Sequence, residues 1–255
     1  MNLKKRASGL LLAGISLGFL PQVQIEKRYE PCGTVLQKKQ RCWLEIAKLR
    51  PTQFAVGFRW IAIKNIEISK MSKEELFQYR KDKKVPIILG PDQSYFMIDR
   101  HHTLSALFDN RIEEALIEVV QDWSKLSWKQ FWQEMEQSHN VYLFDEQGRK
   151  KTALELPLRL KSLKDDPYRS LASLVAKHGR FEKTGIPFEE FYWARLFQSK
   201  AFLKNVVSDK DWEQATETAT SWRKTQPHRH RSHSLPRVSC PFEHSSQGIQ
   251  PVRSY

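Results

Sequence analysis

A chain of 255 residues with 40% hydrophobic residues, 14 Phe and 8 Trp has the apolar volume for one good core, so one main domain with flanking segments is expected. The formal net charge of +13 points to an anionic partner, because Lys and Arg fields attract phosphates and release counterions, but it names no reaction. Beyond the N-terminal segment no apolar stretch approaches the roughly 18 residues of a membrane helix, which excludes a multi-span protein.

Lys4-Lys5-Arg6 followed by an uncharged run over 7–20 has the form of a signal peptide, so residues 1–21 are expected to be a signal peptide or N-terminal anchor of an exported, periplasmic or secreted protein. No Ala-x-Ala cleavage box follows, and a buried N-terminal helix is the competing reading. Cys32 and Cys42 are either a disulfide of an oxidising compartment or two unpaired thiols; Cys240 stands alone near the end.

The apolar patch Cys42-Trp43-Leu44-Glu45-Ile46, strand-like or helical, opens a compact domain expected over 44–150. Residues 49–59 read as loop, with a mixed stretch to Lys70. Ser72 and Glu75 form a capping box for a helix to about Lys81. The runs 85–90 and 95–99, joined by Gly90-Pro91-Asp92-Gln93, predict a hairpin or two neighbouring strands. Leu104, Leu107 and Phe108 give residues 101–110 a helical spacing, and 112–120 is a β-branched strand, so Asp99 to Thr103 falls at a strand-to-helix junction. Residues 127–136 predict a helix whose Trp128, Phe131, Trp132 and Met135 face the core, and 140–144 a strand followed by a turn at 145–148.

A helical extension is expected over 151–222. One helix opens near Asp165-Asp166-Pro167, with Pro167 in its first turn, and runs to Lys177; a second covers 188–202 after a break at 179–187. From 223 to 255 the Ser, Pro, His and Arg composition predicts a disordered basic tail, with His228, His230, His233 and His244 solvated rather than metal-bound.

A strand turning into a helix exposes unpaired amides at the positive end of the helix dipole, a natural phosphate pocket. Arg100, His101, His102 and Thr103 add donors there, and a histidine can also move a proton. Asp99 could orient or charge one imidazole. The bland alternative makes Asp99 an N-cap and both histidines satisfied structural residues.

Leu49-Arg50-Pro51-Thr52-Gln53, Val56-Gly57, Leu89-Gly90-Pro91, Ile98-Asp99-Arg100-His101-His102 and Asp165-Asp166-Pro167-Tyr168-Arg169-Ser170-Leu171 occur in the order seen in ParB-like nucleases, and from Leu49 to Phe197 the chain resembles that family of the ParB/sulfiredoxin superfamily. The resemblance implies an α/β (α+β) fold, a small mixed sheet with flanking helices and a C-terminal helical subdomain. It implies a nuclease or phosphodiesterase with Asp99, His101 and His102 as catalytic residues, and Arg100, Thr103, Arg50, Gln53 and Arg169 as phosphate contacts. Arg100 stands where histidine or glycine is more usual. Gln53 replaces the acid expected of a kinase base, which argues against a serine kinase. Arg169, after Asp-Pro-Tyr, would hold phosphate or lock onto Asp165 or Asp166, the second being favoured. A divalent metal ion or a nucleotide is the cofactor to consider, although Asp99, Asp165 and Asp166 are the only acids for a two-metal clamp and no metal site is assigned. Two other functions fit the sequence: a non-catalytic nucleotide- or nucleic-acid-binding module, and an exported protein acting on a cell-envelope partner.

Overall fold

The computed structural model describes residues 29–178 and 186–225. Seven strands are present among them: β1 (Arg41–Glu45), β2 (Leu49–Pro51), β3 (Ala55–Val56), β4 (Val85–Gly90), β5 (Ser94–Met97), β6 (Glu114–Asp122) and β7 (Lys164–Asp165). Five build a mixed sheet in the order β1-β6-β4-β5-β2, while β3 and β7 pair separately. β4 is buried at all six positions, as a central strand covered on both faces must be. It pairs antiparallel with β5, which makes the expected hairpin, and parallel with β6.

Strand alternation divides the apolar side chains between two layers. On one face Leu49, Ile87, Leu89, Met97, Ile117 and Val119 pack against α1 (Phe58–Ser69), α2 (Lys73–Asp82) and α3 (His101–Asp109). On the other, Ile88 and Phe96 meet Phe131 and Met135 of α4 (Trp128–Gln137) and Val141 and Leu143 of the segment that follows. Phe131 is fully buried, with ring centroids 4.8 Å from Phe96 and 5.0 Å from Trp132. Both expected capping boxes form: Ser72 with Glu75 opens α2, and Ser127 with Gln130 opens α4.

α5 (Pro167–Lys177), α6 (Glu189–Ser199) and α7 (Asp209–Thr225) make the helical subdomain around Leu171, Val175, Ala194, Phe197 and Ala219. Three features differ from expectation. The stretch read as loop and mixed sequence is β2 and β3 followed by α1. Its four isoleucines (61, 63, 66 and 68) weaken intrinsic helix preference, and burial of Ile61 and Ile68 overrides that. Residues 140–144 add no strand to the sheet; Tyr142 and Phe144 make only isolated bridges, to Gln53 and Lys150. α7, unread in the sequence, continues past 222 because Trp222 packs edge-on to Phe197 and Phe202 (6.3 and 5.7 Å) and Arg223 lies 4.8 Å over Trp193.

Cys32 and Cys42 are disulfide-bonded with Cα atoms 4.9 Å apart, resolving the two sequence alternatives in favour of the bridge and tying the entering chain to β1. No helix among the described residues is long and apolar enough to cross a membrane. The segment 1–21 expected to be a signal peptide or anchor, Cys240 and the four tail histidines lie outside the described residues.

The subdomain docks through β3 on β7 and through a close approach at Gly57, where an added Cβ would sit 2.3 Å from the Ser170 hydroxyl oxygen and 2.6 Å from its backbone nitrogen. Gly33 has nothing within 4 Å of such an atom. Gly57→Ala is therefore expected to cost about 1–3 kcal/mol of stability in denaturant melts, with Gly33→Ala unchanged as the control. Equal stability of the two variants would contradict the close approach.

Candidate functional site at the start of helix α3

β5 ends at Met97, and the chain turns through Ile98, Asp99 and Arg100 into α3. Arg100 takes the left-handed conformation, φ 70° and ψ 14°, which a non-glycine residue adopts at a cost and mostly at turns or functional sites. One Asp99 carboxylate oxygen accepts the Arg100 N–H at 2.6 Å, and the other lies 3.7 Å from Arg100 Nε. Asp99 itself is exposed, and its carboxylate does not cap the helix. The first helical hydrogen bond runs from Leu104 N–H to the Arg100 carbonyl (2.8 Å). The amides of His101, His102 and Thr103 donate to no group among the described residues, so three donors stand at the positive end of α3.

Positive charge gathers around this end. Lys64 of α1 is pushed below its usual range by burial and by the like charges of Lys83, Arg100 and Lys177, against the opposite pull of Glu67. The ammonium groups of Lys64 and Lys177 each lie 5.3 Å from the Trp60 ring centre, and Lys177 is itself paired with Glu67 at 2.9 Å. Thr103 is buried beside the Tyr79 phenol.

The two histidines point inward. His101 Nε2 accepts the Thr52 N–H at 3.2 Å, and His102 Nε2 accepts the Gly57 N–H at 2.9 Å. An imidazole that accepts at Nε2 is neutral and carries its proton on Nδ1. Burial, then the nearby Arg169 guanidinium, lowers His101 to about 3. The same two causes, with His101 and Lys64 added, hold His102 well below its ordinary value. Thr52 completes the tie by donating its hydroxyl to the Met97 carbonyl at 2.8 Å.

Arg169 is the one expected phosphate contact outside the turn that the fold brings near the histidines. It is buried: Nη1 donates to the Ser173 hydroxyl at 2.5 Å, Nη2 lies 3.8 Å from Glu190, and the guanidinium is 5.2 Å from the Phe191 ring centre. The expected lock onto Asp165 or Asp166 is replaced. The Asp166 carboxylate caps α5 by accepting the Arg169 backbone N–H and pairs with the Arg195 guanidinium, while Asp165 accepts the Phe58 N–H at the start of α1. Burial pushes both carboxyls upward, and Arg195 pulls Asp166 back in part.

Arg50 and Gln53 do not reach the histidines. Arg50 pairs in register with Phe96 and, by strand alternation, projects to the α4 side of the sheet, 5.8 Å from the Phe96 ring centre. Gln53 is buried and donates to the Ala55 carbonyl at 2.6 Å. Thr52, Gly57 and Lys64 are residues of the candidate site that the sequence reading missed. Thr52 and Gly57 meet the histidines through backbone N–H groups, which leave no side-chain signature. Lys64 is brought in by α1, where a lysine reads as ordinary helix surface. Among the described residues no three His, Cys, Asp or Glu side chains gather as metal ligands.

A mixed sheet with helices on both faces, and a left-handed turn at Arg100 between β5 and α3, make this an α/β domain. A family model described as "Putative ParB-like nuclease" matches residues 42–199. The chain belongs to the ParB-like nuclease family. Among solved structures, the protein Atu1540 from Agrobacterium tumefaciens is similar, with 31% identity over 73% of this chain and 92% of that one and a TM-score of 0.65. No curated protein matches the chain.

The buried imidazoles generate a pH prediction. The unfolded chain protonates each histidine near 6.5, whereas folded His101 does so only near 3, so unfolding takes up protons between these values. Stability is fully present above about pH 6.5 and falls as the pH drops through that window; Asp165 and Asp166, shifted upward, act in the opposite direction in the carboxylate range. His101→Gln and His102→Gln, which keep an acceptor for the backbone N–H, are expected to flatten the loss between pH 6.5 and 4 in thermal melts. The corresponding alanine variants strand a buried N–H and should each cost about 1–3 kcal/mol at pH 7.5. An acid limb identical in wild type and both glutamine variants would contradict the assignment.

Proposed function

We propose that the protein binds a phosphate-bearing ligand, a nucleotide or a nucleic-acid phosphodiester, at the start of α3. The observation that carries this reading is the convergence of three undonated amides with the Arg100 guanidinium at the turn and with Lys64, which lies close enough to feel the Arg100 charge. Backbone donors and a helix dipole supply direction, and the cations supply long-range attraction. Binding should weaken with salt, since neutralised phosphates release counterions. Adenosine monophosphate and a short single-stranded DNA are the probes. In isothermal titration Arg100→Ala and Lys64→Ala are each expected to weaken binding about tenfold, the scale of one lost charge-assisted hydrogen bond. Affinity that ignores both substitutions and salt would sink the proposal.

Hydrolysis of a phosphodiester is the second reading, supported by the family to which the chain belongs and by the exposed Asp99 carboxylate beside the turn. Both histidines already use Nε2 as an acceptor and stay neutral, so proton abstraction falls to Asp99, with His101 and His102 as positioning residues. Asp99→Asn separates the readings: it should abolish product formation from a dinucleotide while leaving nucleotide binding within about twofold of wild type. Product formation unchanged by that substitution would remove Asp99 from the chemistry. Export is the compartment we favour, supported by the leader-like residues 1–21 and by the Cys32–Cys42 bridge, which persists in oxidising surroundings.

A further inference from the structure

The far side of the sheet holds a second concave site. Phe96 and Arg50 line its floor, the α4 indoles of Trp128 and Trp132 one wall, and Leu154 and Leu158 the rim, around a cavity of about 370 Å³. That volume falls in the range of small-molecule sites, roughly 300–1,000 Å³. The aromatic wall is fixed. Trp128 Nε1–H donates to the Asp92 carboxylate at 3.0 Å, Trp132 stands edge-on to Phe96 at 5.2 Å, and the two indoles lie within 24° of parallel with centroids 6.4 Å apart. The rim is unusually apolar for a surface: Leu154 is 90% exposed and Leu158 69%.

Among the described residues Arg50 is the only charged group lining this cavity. Its guanidinium is half-buried over Phe96 and makes no hydrogen bond or ion pair with the described residues. Glu155, the carboxylate carried by the rim segment, is committed to Lys151 at 2.9 Å and to the Thr152 N–H and hydroxyl. A planar guanidinium fork therefore lines a space whose other walls are aromatic, leucine, alanine and proline side chains, which fits a carboxylate bound at both oxygens. A nucleotide suits this space poorly, because the polar edges of its base would lie unpaired against leucine and indole surfaces.

We infer that this cavity is a binding site for a small organic acid with a flat apolar body, its ring lying on Trp128 and Trp132 under the leucine rim and its carboxylate on Arg50. The site is separate from the phosphate turn and lies on the opposite face of the sheet, so it stands or falls independently of the proposal made for Arg100 and Lys64.

The test is a titration of the full chain, followed by tryptophan fluorescence and calorimetry, with 2-naphthoate, uncharged 2-naphthamide, acetate and adenosine monophosphate. Saturable binding of 2-naphthoate is expected, with the amide and acetate at least about tenfold weaker. Arg50→Met should bring 2-naphthoate down to the affinity of the amide. Leu158→Ser, which alters only the exposed rim, should weaken both naphthalene compounds, and Arg100→Ala should change neither. Naphthoate and naphthamide binding with equal affinity, Arg50→Met binding like wild type, or adenosine monophosphate displacing naphthoate at lower concentration would each overturn the inference.

Discussion

Two imidazole nitrogens that accept backbone N–H groups hold this domain in register. His101 fastens α3 to the end of β2 through Thr52, and His102 fastens the same helix turn to the start of α1 through Gly57. Both contacts require neutral rings, and burial beside Arg169 keeps them neutral. A buried N–H left without its acceptor costs more than an ordinary hydrogen bond contributes, so the pair constrains where α3 begins. The start of α3 so fixed leaves its first three amides undonated beside Arg100. The histidines thus shape the turn from below, and on the proposed reading the groups that touch a ligand are the backbone, Arg100 and Lys64, with Asp99 beside them.

Gly57 links this arrangement to the helical subdomain. Its N–H serves His102, while the absence of a side chain lets Ser170 of α5 come within contact of the backbone. Asp165 then accepts the neighbouring Phe58 N–H, and Ser170 the Trp60 N–H, so α1 starts on polar groups supplied by the subdomain. One short stretch, 52–60, therefore couples the sheet, the histidine turn and the C-terminal helices. The sheet itself keeps two chemistries apart. Polar and cationic groups collect at the start of α3, whereas Arg50, one residue before Pro51, is turned by strand alternation into an apolar, aromatic site.

Much of this was legible in the sequence where the signal is local. The capping boxes at Ser72 and Ser127, the hairpin around Gly90-Pro91, and the strand-to-helix switch at Asp99 are short-range patterns, and each stands in the structure. α1 was hidden because its isoleucines favour strand and only tertiary burial of Ile61 and Ile68 makes the segment a helix. α7 was hidden for a different reason: its buried face is Ala215, Thr216, Ala219 and Thr220, too small and polar to register as a hydrophobic stripe. Within the site, the turn was readable but partners separated by long stretches of chain were not. Arg195 on Asp166, Arg169 on Ser173, and the side of the sheet that receives Arg50 all depend on how distant elements dock.

The central claim, that the opening turn of α3 receives phosphate, is tested most directly by amide ¹H–¹⁵N correlation spectra during titration with adenosine monophosphate. The account predicts the largest saturable shifts at the amides of His101, His102 and Thr103, with their titration midpoint moved about tenfold higher in Arg100→Ala. Shifts concentrated elsewhere, with these three amides unmoved at saturation, would contradict it.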